Sequence, residues 1–140
     1  MHALIIEDEV LVALSIEDSL ESLGFVSSQT VATEETAVTA ACLHLPDLIT
    51  ADVRLAKGSG ITAVRTILRD QQVPVVFITG NVEMVREQMP DAVVLQKPYH
   101  EKALRDAIAT ARRRITADSA TDPTASGPSL VQGRELFPQP

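Results

Sequence analysis

The sequence predicts an α/β fold in which helices wrap both faces of one doubly wound parallel sheet. Short runs rich in Val, Ile and Leu alternate along the chain with segments whose apolar residues recur at helical spacing. Aromatic residues make up only 3% of the chain, so the core must be aliphatic, which suits buried parallel strands. A length of 140 residues fits a domain whose core folds without disulfides or a structural metal.

The first half of the chain is predicted to hold three strands and two helices. The strands are 3–7, about 25–31 and 47–52. Gly24 ends the first helix, whose apolar residues recur at helical spacing from Ala13 to Leu23. The second helix is predicted to begin after Thr33, whose hydroxyl suits an N-cap, and to end near His44, because a proline follows.

The second half is predicted to add two strands and three helices, giving five of each. The strands are 73–79 and 92–96. Between these two strands, the short and poorly amphipathic segment 82–89 predicts a short helix. The predicted inner faces of the third and last helices are Ile61, Val64, Ile67 and Leu68, and Ala103, Leu104, Ala107, Ile108 and Ala111.

A change of composition at Thr116 separates a predicted domain, residues 1–115, from a tail, residues 116–140. The tail holds four of the eight prolines and many small polar residues, without periodicity. Such a segment buries too little apolar surface to offset the entropy of ordering it, so we expect it to be flexible. Leu136-Phe137 is a candidate docking element within it, and plain disorder is the favoured interpretation.

Charge and composition argue against several classes of function. The net charge of −7 opposes non-specific binding to nucleic acid, and the basic run Arg112–Arg114 at a helix end suits the helix dipole. The single cysteine, Cys42, excludes an intramolecular disulfide and is predicted to be a small buried residue. The sequence shows neither a membrane-length apolar run nor a secretion signal. We therefore expect a cytoplasmic protein without membrane or nucleic-acid partners.

Polar residues collect at the predicted carboxyl ends of the strands. Glu7 and Asp8 follow the first strand, and Asp52 ends the third. Thr79 ends the fourth strand, and Lys97 follows the fifth. Because functional groups of open α/β sheets lie at the carboxyl ends of the strands, we expect these side chains to converge at one edge.

The three carboxylates of this edge predict a magnesium site. Neighbouring carboxylates repel one another unless a cation lies between them, and Mg²⁺ prefers oxygen ligands while keeping several waters. Asp8 and Asp52 are expected to bind the ion directly, and Glu7 to act through water. A backbone carbonyl of the following loop, assigned to Arg54, would complete the protein ligands.

Asp52 is the predicted phosphoacceptor. An aspartate carboxylate can act as the nucleophile in phosphoryl transfer and form an acyl phosphate. Lys97 is expected to neutralise charge on the phosphoryl oxygens, and the Thr79 hydroxyl to bind one of these oxygens. The phosphoryl group adds a charge of about −1.5 to −2, which can draw Thr79 inward and move the loop after it. We therefore expect a switch rather than an enzyme with turnover.

Four segments resemble the receiver domain of two-component response regulators, and the resemblance covers about residues 2–115. They are LIIEDE at 4–9, PDLITADVRL at 46–55, VVFITG at 75–80 and QKPY at 96–99. The resemblance implies a flavodoxin-like strand order of 2-1-3-4-5, with Asp52 as phosphoacceptor and Glu7 and Asp8 as the acidic pocket. It also implies that Thr79 is the switch hydroxyl and that the Lys97–Pro98 bond is cis.

Two features depart from the common receiver pattern. Val94 stands three positions before the lysine, where most receivers carry an aromatic residue that swings inward with the threonine. The stretch from Thr79 to Lys97 is also shorter. With FITGN at 77–81, these features resemble the stand-alone FATGUY receivers and the receiver half of general-stress-response regulators. Val94 and Tyr99 are assigned to the signalling surface.

The resemblance implies a histidine kinase or histidine phosphotransferase as phosphodonor and a downstream protein partner in trans. The alternative is a phosphate sink or relay intermediate that returns phosphate to a phosphotransferase. A magnesium-dependent aspartyl phosphatase is disfavoured, because such enzymes need an acid two residues after the nucleophile, where Arg54 stands here. A constitutive interaction protein is disfavoured by the complete acidic pocket.

Overall fold

The structure, a computed structural model, describes the backbone of residues 1–121 and the side chains of residues 1–117. This part of the chain forms a five-stranded parallel sheet in the order β2-β1-β3-β4-β5, which confirms the predicted fold class. The strands are β1 (His2–Ile6), β2 (Ser27–Val31), β3 (Leu48–Ala51), β4 (Val75–Thr79) and β5 (Val93–Gln96). The helices are α1 (Val10–Ser22), α2 (Glu34–Leu43), α3 (Gly60–Leu68), α4 (Val82–Gln88) and α5 (Glu101–Thr121).

Helices cover both faces of the sheet and create two apolar layers. On one face, α1 and α5 bury Ile16 and Leu104 against the sheet. On the other face, α2, α3 and α4 enclose Ile61, Val85 and the fully buried Phe77. Successive residues of a strand point to opposite faces, so both layers draw on every central strand. With both faces closed, the carboxyl edge of the sheet is where polar side chains can gather.

Thr33 and Ser59 begin α2 and α3 as N-caps. The Thr33 hydroxyl accepts a hydrogen bond from the Thr36 backbone N–H at 3.1 Å, and the Thr36 hydroxyl accepts from the Thr33 N–H at 3.2 Å. This reciprocal pair satisfies N–H groups that a helix end leaves unbonded and confirms the predicted start of α2. Ser59 caps α3 by accepting from the Ile61 N–H at 3.1 Å.

Cys42 is exposed, so the prediction that it is buried was wrong. The buried positions of α2 include Ala37 and Ala41, which lie four residues apart on one side of the helix. Cys42 follows Ala41 with a rotation of about 100° around the helix axis, which turns its thiol to solvent.

Helix α5 continues to Thr121, beyond residue 115 where the change of composition placed the end of the domain. The residues after 115 lack apolar periodicity, but they extend a helix whose earlier turns are held by Leu104, Ile108 and Ala111. The rest of the predicted tail, including Leu136-Phe137, lies outside the described residues.

Thr50 is a buried residue of β3 whose hydroxyl has no hydrogen-bond partner among the described residues. It lies beside Ile5 of β1. An unpaired buried hydroxyl costs about 1–3 kcal/mol, so we expect Thr50→Val to raise the free energy of unfolding by about 1 kcal/mol. Thr30 lies on the other side of Ile5 and is exposed, so Thr30→Val should change stability by less than about 0.5 kcal/mol. Urea unfolding that shows equal changes would contradict the expectation.

Candidate functional site

Asp52 lies immediately after β3, and backbone groups bind both its N–H and its carboxylate. Its N–H donates to the Ile6 carbonyl of β1 at 2.9 Å, so the pairing of these two strands continues to Asp52. The Asp52 Oδ1 atom accepts a hydrogen bond from the Val53 N–H at 2.7 Å. The side chain is 10% exposed, so protein covers most of its surface.

Lys97 joins the carboxylates at the carboxyl edge of the sheet. Its Nζ atom lies 2.9 Å from Glu7 Oε1 and 2.9 Å from Asp52 Oδ2. Glu9 Oε1 lies farther away, at 3.5 Å. The structure therefore brings Glu7, Asp52 and Lys97 together as the sequence predicted, with one ammonium group facing three carboxylates.

Glu9 belongs to the acidic cluster, although the sequence pattern predicted no role for it. Carboxylate oxygens of Glu7, Glu9 and Asp52 all lie within 4.8 Å of one another. Asp8 is exposed and lies outside this group in the structure, so its assignment as a direct metal ligand stays a prediction. The backbone at Glu9 is extended, which sends alternate side chains of the acidic triplet the same way. That alternation was the signal that could have identified Glu9.

Burial and pairing move the pKa values of the two central groups. Burial raises the pKa of Glu7 above its ordinary value, because it outweighs the hydrogen bonds from Lys97 and from the Glu9 N–H. Burial alone would lower the pKa of Lys97, but the hydrogen bonds and charges of Asp52 and Glu7 raise it well above the ordinary range. Lys97 has two carboxylate partners, Glu7 and Asp52. It is a permanent cation at physiological pH.

Glu7→Gln is expected to stabilise the Mg²⁺-free protein at neutral pH. Because its pKa is raised on folding, the folded state keeps the Glu7 proton to a higher pH than the unfolded state does. Ionised Glu7 therefore lowers stability as pH rises from the ordinary pKa of Glu, about 4.3, through the folded value. Urea unfolding should show the gain of Glu7→Gln growing over this window and then staying constant. The exposed Glu21→Gln is the control, and a gain that shrinks with rising pH would contradict the expectation.

Thr79 ends β4 and is fully buried. Its hydroxyl accepts a hydrogen bond from the Asn81 N–H at 3.0 Å, and its carbonyl accepts from the Lys97 N–H at 3.1 Å. The backbone thus links the residue to both the β4–α4 loop and the segment that carries the lysine. Its role as the switch hydroxyl stays a prediction.

The loop after Asp52 folds back sharply onto that residue. The Gly60 N–H donates to the Val53 carbonyl at 2.9 Å, and Arg54 pairs with Ser59 across the loop. The Arg54 side chain is exposed. Its backbone carbonyl, predicted to bind Mg²⁺, therefore belongs to a tightly closed loop.

The two residues assigned to the signalling surface lie in different layers of the molecule. Val94 is half-buried in the layer that contains Phe77. Tyr99 is half-buried in the layer that contains α1, and its hydroxyl lies 3.4 Å from the Ser19 hydroxyl. Because β5 is an edge strand of the sheet, the two layers meet there, and the assignment of both residues to the signalling surface stays a prediction. The Lys97–Pro98 bond between them is cis, as the resemblance implied.

Comparison with known proteins identifies the family. Residues 3–109 match the family described as the response regulator receiver domain. The chain belongs to this family. Within the described residues, no helix is both long and apolar enough to cross a membrane.

Relatives named PhyR share most of the receiver. The phyllosphere-induced regulator PhyR of Methylorubrum extorquens is 40% identical over 100 residues, which cover 69% of this chain and 38% of that protein. The receiver domain of Erythrobacter litoralis PhyR superposes with a TM-score of 0.73 at 37% identity, covering 80% of this chain and 89% of that one. The anti-anti-sigma factor PhyR of Bartonella quintana gives 0.74 at 34% identity, covering 86% and 51%.

These matches show a receiver domain related to those of general-stress-response regulators. The chain spans well under two thirds of the full-length PhyR proteins that it matches. The likeness therefore concerns the receiver portion of those proteins. The placement among stand-alone receivers stays a prediction.

Proposed function

We propose that this receiver accepts a phosphoryl group on Asp52 from a phosphohistidine of a cytoplasmic histidine kinase or histidine phosphotransferase, with Mg²⁺ bound beside it. The observation that carries the proposal is the Asp52 carboxylate, which is buried, paired at 2.9 Å with the Lys97 ammonium and surrounded by further carboxylates. Such a cluster has one fixed positive charge for three negative ones, and a phosphoryl group cannot approach it without more positive charge.

The residues at this edge fit Mg²⁺. Three carboxylates with oxygens within 4.8 Å of one another provide the hard oxygen donors and excess negative charge that the ion requires. Asp52 and the Arg54 carbonyl would hold it directly, and Asp8, whose exposed side chain lies outside this group, would complete the direct ligands by turning toward the ion. Both oxygens of Glu7 already accept hydrogen bonds, from Lys97 at 2.9 Å and the Glu9 N–H at 3.1 Å, which suits a contact through water. When bound, the ion would neutralise phosphoryl oxygens.

The transfer itself needs little more than positioning. An Asp52 carboxylate oxygen attacks phosphorus, the new P–O bond forms and the P–N bond to the donor imidazole breaks. The electron pair of that bond leaves with the imidazole, which takes a proton from solvent water. Lys97 stays protonated throughout and neutralises charge on the phosphoryl oxygens. The Thr79 hydroxyl would then turn from the Asn81 N–H toward the phosphoryl group.

The experiment for the proposal uses a histidine phosphotransferase carrying radiolabelled phosphate. We expect Mg²⁺-dependent transfer of label to the wild-type chain and none to Asp52→Asn. The label on the receiver should be released by hydroxylamine, which cleaves acyl phosphates. Equal labelling of both chains would refute Asp52 as the acceptor.

An exposed apolar face of α1 adjoins the acidic site and would receive the phosphodonor. Val10, Leu11 and Leu14 are 72%, 81% and 51% exposed, directly after the acidic residue Glu9. Large apolar side chains at the surface of a soluble domain mark contact sites when they cluster near functional groups. A donor that binds there brings its phosphohistidine close to Asp52.

Leu11→Asp is expected to slow transfer from a phosphorylated histidine phosphotransferase about tenfold, because a charge would be buried at the contact. Phosphorylation by acetyl phosphate, which needs no docking, should be unchanged. Leu43→Asp is a matched control, since Leu43 is 82% exposed but lies at the far end of α2. Equal slowing by both variants, or slowing with acetyl phosphate, would exclude docking on α1.

The output proposed is a changed surface around α4 and β5 that binds a downstream protein in trans. Val94 cannot replace the swinging aromatic residue of common receivers, so the β4–α4 loop, Gly80-Asn81, must carry the change. The Bartonella relative is described as an anti-anti-sigma factor, which suggests a partner of the sigma-factor regulatory kind.

Val94 also favours a second candidate function, a phosphate sink. Rapid back-transfer to an unphosphorylated phosphotransferase would favour the sink, and a long-lived phosphoprotein would favour signalling.

A further inference from the structure

Glu34 lies in the first turn of α2, outside the acidic cluster, and its carboxylate reaches the loop after Asp52. Glu34 Oε1 accepts a hydrogen bond from the Ser59 backbone N–H at 3.0 Å. The Glu34 backbone N–H donates to the Lys57 carbonyl at 3.0 Å. One residue of α2 therefore holds this loop at two points.

Ser59 is the N-cap of α3, and its N–H needs an acceptor. In a capping box that acceptor is the side chain of the third residue of the same helix, which here is Thr62. The carboxylate of Glu34 supplies it from another helix instead. The negative charge of Glu34 also lies at the N-terminus of α3, where the helix dipole favours it. The contact therefore stabilises both the loop and the start of α3.

The same loop begins directly after Asp52, the proposed phosphoacceptor. Ser59 pairs with Arg54 across the loop, and the Gly60 N–H binds the Val53 carbonyl at 2.9 Å. The Val53 N–H in turn binds Asp52 Oδ1 at 2.7 Å. The position of Ser59 therefore constrains the segment that carries both the Asp52 carboxylate and the Arg54 carbonyl.

Gly58 allows Glu34 to approach this closely. It has a φ of +84°, and a Cβ at this position would lie 2.5 Å from both the Cβ and the Oε1 of Glu34. A side chain there would push the carboxylate of Glu34 away from Ser59. The absence of a side chain at Gly58 therefore leaves the space that the Glu34 side chain occupies.

The geometry points to Glu34 as a positioning residue of the magnesium and phosphorylation site, acting through Ser59 on the Arg54 carbonyl and on Asp52. This inference rests on the proposed function, because it concerns the same metal and the same acceptor. Glu34 contacts no reacting atom. Its effect comes from keeping the loop in the conformation that binds Mg²⁺.

Three full-length variants test the inference. Glu34→Ala removes the acceptor, Glu34→Gln keeps an amide oxygen that can accept from Ser59, and Glu35→Ala alters the exposed neighbour in the same helical turn. Calorimetry measures the Mg²⁺ dissociation constant, and hydrogen exchange of the Ser59 amide in Mg²⁺-free protein measures the loop directly. Melting without Mg²⁺ checks folding, and Glu34→Met replaces Glu34→Ala if the latter is unfolded.

Glu34→Ala is expected to weaken Mg²⁺ binding about tenfold, as loss of an outer-shell partner does, and to speed Ser59 exchange. Glu34→Gln should stay within about threefold of wild type in Mg²⁺ affinity, and Glu35→Ala should match wild type. Wild-type Mg²⁺ affinity in Glu34→Ala would overturn the inference, as would Glu34→Gln binding as weakly as Glu34→Ala. A wild-type chain that binds no Mg²⁺ overturns it too. If wild type and the three variants show the expected Mg²⁺ affinities but wild type gains no phosphoryl group from acetyl phosphate, only the proposed function is refuted.

Discussion

Gly60→Ala should lower the free energy of unfolding by about 3 kcal/mol, because its new Cβ would overlap the backbone of Asp52. A Cβ at Gly60 would lie 1.7 Å from the Asp52 carbonyl oxygen, which belongs to backbone and cannot move aside as a flexible side chain would. Either α3 shifts away from β3, or the Asp52 carbonyl turns.

Urea unfolding measures this effect, and Gly80→Ala is its control. A Cβ at Gly80 meets nothing within 4 Å, so that variant should change stability by less than about 1 kcal/mol. Gly60→Ala should also slow phosphorylation by acetyl phosphate under conditions in which the variant is folded. A Gly60→Ala chain as stable as Gly80→Ala would show that the loop after Asp52 is not closed as described.

Lys97→Met should destabilise the Mg²⁺-free protein by about 2–3 kcal/mol. Removing one partner of a buried ion pair leaves uncompensated charge and costs about 3–5 kcal/mol, and the 19% exposure of the Lys97 side chain reduces that cost. Glu7 and Asp52 would then face each other without a cation. Saturating Mg²⁺ should recover part of the loss, because the ion supplies the missing positive charge.

Lys102→Met provides the comparison for this effect. Lys102 forms an exposed pair with Asp106 at 3.1 Å on α5, which contributes at most about 0.5 kcal/mol. Its loss should be independent of Mg²⁺. Equal losses in the free energy of unfolding of Lys97→Met and Lys102→Met would contradict the description of Lys97 as the cation of the cluster. It would also be contradicted if Mg²⁺ restored the stability of neither variant, or of both.

The sequence predicted best those elements in which a local signal, such as a helix cap, and the apolar pattern indicate the same structure. Thr33 is followed three residues later by Thr36, and that pair starts α2 as the pattern indicates. The apolar run that ends at Thr79 forms β4, which lies between β3 and β5 in the sheet. The proximity of Asp52 and Lys97 follows from the parallel topology alone, because the carboxyl ends of parallel strands lie at the same edge of the sheet.

The sequence does not determine the direction of side chains at the ends of elements, because periodicity is lost there. The carboxylate of Glu9 lies with those of Glu7 and Asp52, a contact that the sequence pattern did not indicate. Tyr99 packs in the layer of α1, and Val94 packs in the layer of Phe77. The contact of Glu34 with Ser59 spans 25 residues, so only the fold reveals it.

The central claim is that Asp52 takes up one phosphoryl group in the presence of Mg²⁺. The most direct test is the intact mass of the chain after incubation with acetyl phosphate, for wild type, Asp52→Asn and the exposed control Asp18→Asn. Wild type and Asp18→Asn should each gain the mass of one phosphoryl group, only when Mg²⁺ is present, and Asp52→Asn should gain none. The same gain in Asp52→Asn, or no gain in wild type, would contradict the claim.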